Sequence, residues 1–77
     1  MDNDTIREYK REFGKRLQEI LNARDKSPYW LADMIQINPT TIYGYICGDY
    51  LPRAHIIAQI CEVLRCDANW LCGVHHA

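Results

Sequence analysis

Two helix start signals lie so close together in this chain that few folds can accommodate both. Ser27-Pro28 and Asn38-Pro39 each combine an N-cap side chain with a proline at the first helical position, where the missing N–H of proline has no partner to lose. Only Gln36 and Ile37 separate the end of the first helix from the second N-cap. Two helices joined by so short a link must cross at a steep angle. The spacing therefore predicts a helix-turn-helix over residues 27–48.

Hydrophobic periodicity indicates the bounds of these two helices and their buried sides. The first is predicted over residues 28–35 and the second over residues 39–47, with Gly48 placed to end the second in the left-handed conformation. The residues predicted to face inward are Leu31, Ala32 and Ile35 in the first helix, and Ile42 with either Tyr45 or Ile46 in the second.

The remaining helices follow from the same periodicity. A helix over residues 4–24 should bury a stripe formed by Ile6, Tyr9, Phe13, Leu17, Ile20 and Leu21. A fourth helix starts near Arg53 and has one apolar face, formed by Ile56, Ile57, Ile60, Cys61 and Leu64. Asp67 is predicted to cap a short last helix that ends at Gly73. Because no segment shows the strand pattern, residues 1–77 are predicted to form a single all-α domain of five helices.

Composition and charge restrict the location and the partners of the chain. No apolar run approaches the roughly 20 residues that span a bilayer, and the acidic start lacks a secretory signal, so we expect a cytoplasmic protein without a membrane partner. The formal net charge is −1, whereas a dedicated DNA binder is usually basic. Seven of the nine Lys and Arg residues lie between Arg7 and Lys26, against four acids there, which predicts a local positive face.

The cysteine spacing does not indicate a metal centre. There is no C-x-x-C pair of the structural zinc type, and Cys61, Cys66 and Cys72 fall at or beside apolar positions, where a free cysteine behaves as a small hydrophobe. The sequence also lacks a nucleophile–base pairing, a glycine-rich phosphate loop and a carboxylate pair of the catalytic type. We therefore expect no enzyme activity, metal, cofactor or small-molecule substrate.

Four segments resemble one protein family, in the same order and at the same spacing. They are residues 13–17, residues 31–32 followed by residues 37–42, Gly48 followed by Pro52, and residues 64–73. Together they resemble the lambda-repressor-like helix-turn-helix family of Cro and the phage repressors, often called Xre-type. The resemblance covers most of the chain and implies the five-helix fold of that family.

The resemblance also implies a regulator of transcription, in most cases a repressor, that binds double-stranded DNA with its third helix in the major groove. The groove-facing positions of the family correspond to Pro39, Thr40, Thr41, Tyr43 and Gly44. The phosphate-contacting positions correspond to Lys15, Arg16, Ser27, Tyr29 and Arg53. Pairing through the C-terminal region would give homodimers on near-palindromic operators, in a bacterium, a phage or a mobile element. Trp70 matches a core position of the family.

The expected reading face departs from the family in its chemistry. Residues 40–47 include no Arg, Lys, Gln or Asn, the side chains that commonly make bidentate contacts with bases. Two threonines offer hydroxyls and methyls instead. Tyr29, Tyr43 and Tyr50 are either phosphate contacts or ordinary half-buried aromatics. An alternative function therefore stays open, in which a degenerate helix-turn-helix acts as an antirepressor-like or antitoxin-like protein-interaction module.

Overall fold

The fold is all-helical, as predicted. A computed structural model describes residues 3–73, and the regular elements in that part of the chain are five α-helices with no strand. They are α1 (Asn3–Ala23), α2 (Pro28–Ile35), α3 (Pro39–Cys47), α4 (Ala54–Leu64) and α5 (Ala68–Cys72). The predicted bounds of α2 and α3 are confirmed, and α1 begins and ends one residue earlier than predicted.

Both start signals form the caps that the sequence predicts. Ser27 Oγ accepts a hydrogen bond from the Trp30 N–H at 3.1 Å, and Asn38 Oδ1 accepts one from the Thr40 N–H at 2.8 Å. A proline follows each cap at the start of its helix. Between the helices, Gln36 takes the left-handed conformation, with φ of 59°. The short link therefore depends on one residue in a conformation that is unfavourable for residues other than glycine.

The predicted ends of the later helices are also confirmed. Gly48 ends α3 with φ of 81°, and Gly73 ends α5 with φ of 74°. Asp67 is the N-cap residue of α5, although its side chain makes no capping hydrogen bond. Arg53 occupies the same place before α4. Glycine at a left-handed end avoids the steric penalty that a Cβ would add.

All five helices contribute to one hydrophobic core. Its largest fully buried side chains are Phe13, Leu17, Leu21, Leu31, Ile42, Ile60, Leu64 and Leu71. Among the described residues the buried set includes no charged or polar residue. In α3 it is Tyr45, and not Ile46, that joins Ile42 in the core. The apolar face of α4 is buried only in part, since half-buried positions are found at Ile56, Ile57 and Cys61.

Three apolar residues that were predicted to be buried lie at the surface. Ile6 and Tyr9 in the first turns of α1 are 38% and 45% exposed, and Trp70 in α5 is 39% exposed. The stripe prediction for the start of α1 is therefore wrong, and so is the core position of Trp70. Periodicity identifies the apolar face of a helix, but it does not show whether another helix covers that face.

A buried glycine lets α1 and α3 approach closely. A Cβ built on Gly14 would overlap the carbonyl oxygen of Ile46 and would lie 2.7 Å from the carbonyl oxygen of Tyr45. Both neighbours are backbone atoms, so no rotamer change could make room for a side chain. This contact holds the C-terminal half of α3 against α1. On the other side of α3, Thr40 and Tyr43 are exposed.

Candidate nucleic-acid interface

The face of α3 that points away from the core carries Thr40 and Tyr43, two of the five residues predicted to contact bases. Thr40 is exposed and Tyr43 is 40% exposed, whereas Ile42 and Tyr45 point into the core. The half-buried residues at the start of the helix are Pro39 and Thr41. The chemistry available on this face is therefore hydroxyl, methyl and phenol. Such groups can touch a thymine methyl or make single hydrogen bonds with base edges.

Gly44 does not offer the open surface that the family resemblance implies. It is buried, and a Cβ built on it would overlap Oη and Cζ of Tyr50. The groove-facing role of Gly44 stays a prediction, and the end of the Tyr50 phenol lies over this glycine. Tyr50, from the loop after α3, covers this position.

Two consecutive edge-to-face aromatic contacts connect Tyr50 to the core. The ring centroids of Tyr50 and Tyr45 lie 5.5 Å apart at 85°, and those of Tyr45 and Phe13 lie 6.5 Å apart at 87°. Edge-to-face contacts of this kind are favourable arrangements for aromatic rings. Burial, and then the neighbouring Tyr50, raise the pKa of Tyr45. The ring contact with the buried Tyr45 holds Tyr50 in place, and the raised pKa favours the neutral form of Tyr45.

A second aromatic pair joins the start of α2 to α3. Tyr29 is 62% exposed, and its ring packs edge-to-face on Tyr43 with the centroids 5.6 Å apart. The pair extends the surface of α3 towards the N-terminus of α2. It places two phenol groups on the predicted DNA side of the molecule.

The start of α2 leaves one backbone donor free for a ligand. Pro28 has no N–H, and Ser27 accepts hydrogen bonds from the N–H groups of both Trp30 and Leu31. Of the first-turn amides of α2, this leaves the Tyr29 N–H without an acceptor from the cap. An N–H at a helix N-terminus favours an anion such as a phosphate. The Ser27 hydroxyl accepts the Trp30 bond and still has its own hydrogen to donate.

The cations predicted to meet phosphates differ in their surroundings. Lys15 and Arg53 are exposed. The Arg16 side chain is only 17% exposed and pairs with Glu12 at 3.6 Å. Its guanidinium lies against Gly73, since a Cβ built on Gly73 would lie 2.6 Å from Arg16 Nη1. This side chain packs between α1 and the end of α5, and the phosphate contact of Arg16 stays a prediction.

Two further cations of the basic segment have structural partners. The Arg24 guanidinium donates hydrogen bonds to the carbonyl oxygens of Leu64 and Arg65 at the end of α4. Lys26 Nζ lies 4.9 Å from the ring centroid of Trp30. The N-termini of α2 and α3 are consequently not lined by a continuous strip of free cations in the described part of the chain.

Arg11 lies beside the far end of α3, a position that sequence reasoning did not single out. A Cβ built on Gly48 would lie 3.4 Å from Arg11 Cα, and Arg11 is exposed. The signal in the sequence was only its place in a basic helix. The packing of α1 on α3 brings the backbone of Arg11 next to the C-terminal end of α3.

The cysteines behave as small apolar residues. Cys61, Cys66 and Cys72 are half-buried free thiols, and Cys47 is an exposed one. Burial is the main factor that raises the pKa of all three half-buried thiols, that of Cys61 to about 11. A raised thiol pKa lowers the fraction of the reactive thiolate. In the part of the chain that the structure describes, no three His, Cys, Asp or Glu residues are grouped as metal ligands. His75 and His76 lie outside the described residues.

A comparison with protein families identifies this arrangement. The model of the Cro/C1-type HTH DNA-binding domain matches residues 16–69, which is most of the chain. The chain belongs to this family. The match spans the helix-turn-helix of α2 and α3 and confirms the resemblance inferred from the sequence.

Membership of this family supports a DNA-binding regulator, and the family is not one of enzymes. A search of the curated proteins found no match to the chain. Among the described residues, no helix has the length and apolar character that crossing a membrane requires.

Proposed function

We propose that this chain represses transcription by binding a near-palindromic operator as a homodimer, with α3 of each copy in the major groove. On this proposal residues 1–77 act as one DNA-binding domain in the cytoplasm, in a bacterium, a phage or a mobile element. The observation that carries the proposal is the exposure of Thr40 and Tyr43 on α3, in a chain that belongs to a DNA-binding family.

Base reading would rest on apolar contacts, single hydrogen bonds and DNA shape. Pro39, Thr40, Thr41 and Tyr43 provide methyls, hydroxyls and one phenol, and a bidentate contact, worth about 1–3 kcal/mol, is not available to them. We therefore expect a motif in which thymine methyls and a deformable or narrow segment contribute much of the selectivity. Arg53 is the exposed cation proposed to enter such a narrow minor groove.

Phosphate contacts would come from both sides of α3. We assign them to the Tyr29 N–H and the Ser27 hydroxyl at the start of α2, and to Lys15, Arg11 and Arg53 as exposed cations. Contacts to phosphates position a protein on DNA without reading sequence. With so few free cations, binding releases few counterions, so the non-specific affinity should be modest and its decrease with salt should be shallow.

Homodimer formation is supported by apolar surface outside the DNA-facing side. Trp70 of α5 and Ile6 and Tyr9 of α1 are each more than a third exposed, and α5 packs on α1. A two-fold interface requires a self-complementary patch, and exposed aromatic residues are common at its centre. The C-terminal region is therefore the proposed site of pairing.

Selection of bound duplexes from a random DNA pool, at about 150 mM salt, tests the proposal. We expect enrichment of a near-palindrome with half-sites about 10 base pairs apart, because two α3 helices related by a dimer axis meet the groove one turn apart. The double variant Thr40→Ala with Tyr43→Ala should lose this selectivity while circular dichroism shows an unchanged fold. Failure of the native protein to enrich any sequence would overturn the proposal.

The second candidate function is a protein-interaction module on the same fold. It is favoured by the aromatic surface of Tyr29, Tyr43 and Tyr50 and by the structural engagement of Arg16, Arg24 and Lys26. An antirepressor-like or antitoxin-like partner would use that surface instead of DNA. No enrichment of DNA in the selection would favour this candidate.

A further inference from the structure

The reading face of α3 has a gap at Gly44, which the next loop fills. Gly44 follows Thr40 by four residues, so the two positions lie on the same face of the helix, one turn apart. A glycine at this place presents no side chain. The surface there is instead formed by Tyr50, because a Cβ on Gly44 would overlap the end of the Tyr50 phenol and would lie 2.9 Å from its Cε1.

The chain reversal after α3 returns Tyr50 to the helix. Gly48 turns the backbone with φ of 81°, its N–H bonds the carbonyl of Tyr45, and the Asp49 N–H bonds the carbonyl of Gly44 at 2.9 Å. Tyr50 then packs edge-to-face on the buried Tyr45. Its position is therefore set by the helix end and by the core.

Tyr50 as a whole remains partly exposed in this position. Tyr50 is 42% exposed although its end covers Gly44 and its ring contacts Tyr45. The hydroxyl can donate one hydrogen bond and accept others, and the ring edge offers apolar contact. A side chain held in this way loses little conformational freedom when it binds, which favours a specific contact.

We infer that Tyr50 is a specificity-determining residue, which reads one base pair of each half-site at the place where Gly44 has no side chain. The inference rests on the proposed function, since it requires α3 to lie in the major groove. Gly44 and Tyr50 form a matched pair on this account: the glycine makes room, and the tyrosine supplies the reading group from outside the helix.

Tyr50→Phe tests the inference, because it removes only the hydroxyl and keeps the ring above Gly44. Selection from the random pool should show the preference at one position of each half-site lost or changed in Tyr50→Phe, with the other positions retained. Affinity for the operator of the native protein should fall about 3- to 10-fold, as expected for one hydrogen bond, with an unchanged Tm. Gln59→Ala, which removes an exposed uncharged polar group of α4 outside both proposed surfaces, is the control and should leave the motif unchanged.

Two results would overturn the inference without touching the proposed function. One is an unchanged motif and affinity for Tyr50→Phe. The other is a loss of affinity that is equal for all sequences, which would make Tyr50 a phosphate contact. If the native protein enriches no motif, both the inference and the proposed function fail.

The room at Gly44 provides an independent test. Gly44→Ala should displace the phenol, since its Cβ needs the space of the Tyr50 hydroxyl end, and should therefore change the same motif position as Tyr50→Phe. In the Tyr50→Ala background, Gly44→Ala should have no further effect on that position. A Gly44→Ala change that leaves the position unaltered in the native background would contradict the pairing of the two residues.

Discussion

Replacing Gly14 with alanine should disturb the contact that holds α3 against α1. Two effects oppose each other in this variant. In a helix interior, alanine is more favourable than glycine by about 1 kcal/mol. The added Cβ, however, would overlap the Ile46 carbonyl oxygen and lie 2.7 Å from that of Tyr45, so the backbone of one helix must move.

The steric effect should be the larger one. Overpacking a core costs about 1–3 kcal/mol, and we expect the upper part of this range because both obstructing atoms are backbone. The net loss of unfolding free energy should be about 1–2 kcal/mol. For a domain of this size, each kcal/mol lowers Tm by about 4–8 °C, so Gly14→Ala should melt about 4–16 °C below the native protein.

Thermal unfolding followed by circular dichroism measures this difference. Lys15→Ala, at the exposed neighbouring position, is the control and should change stability by no more than about 0.5 kcal/mol. A Gly14→Ala protein as stable as the native one, or more stable, would show that α1 and α3 do not approach as closely as described. Reduced operator binding at temperatures where the variant is folded would further link this contact to the placement of α3.

Two other changes test the backbone and the buried thiols. Gln36→Gly should raise the free energy of unfolding by up to about 1 kcal/mol, and with it the midpoint of chemical denaturation, because Gln36 holds φ of 59°. The variant also loses the hydrogen bond from Gln36 Nε2 to the Asp33 carbonyl, but this bond is exposed and offsets only part of the gain. An unchanged or lower midpoint would contradict backbone strain at Gln36. Burial raises the pKa of Cys61 from 9.0 to about 11, so the folded state keeps a proton that the unfolded state loses between these values. The free energy of unfolding should therefore fall as pH rises from about 9 to 11. The free energy of unfolding of Cys61→Ala should fall less steeply over this pH range, and an equally steep fall would contradict the raised pKa of Cys61.

Features that depend on neighbouring residues were predictable from the sequence. The Ser27 cap binds an amide three residues away and the Asn38 cap one two residues away, and the prolines and Gly48 act on their own backbone. The bounds of α2 and α3 were therefore correct. The inward residues of α2 were correct for a similar reason, since the spacing of apolar residues reports the face of a helix directly.

Features that depend on a distant element were not predictable. The direction of Arg16 is set by Gly73 at the end of α5, and the burial of Gly44 is set by the return of Tyr50 over α3. Neither contact has a signal in the local sequence. The exposure of Trp70 likewise depends on what lies beside α5, and apolar character alone did not report it.

On the proposed function, the chemistry of α3 limits the kind of sequence specificity that this protein has. Without a bidentate side chain on residues 40–47, each base contact is weaker than a paired Arg or Gln contact. Selectivity must then be spread over several apolar contacts and over DNA deformation. The aromatic pairs Tyr29–Tyr43 and Tyr45–Tyr50 suit this mode, because they hold large side chains in fixed places.

The most direct test of the central claim is a nuclear magnetic resonance titration of the isotope-labelled protein with its selected duplex. We predict that the largest amide shift changes fall on Thr40, Thr41 and Tyr43, with further changes at Tyr29 and Tyr50. A duplex with a scrambled half-site should produce smaller changes at the same residues. Changes confined to α5 and the first turns of α1, or none at all, would contradict the claim that α3 is the surface that reads DNA.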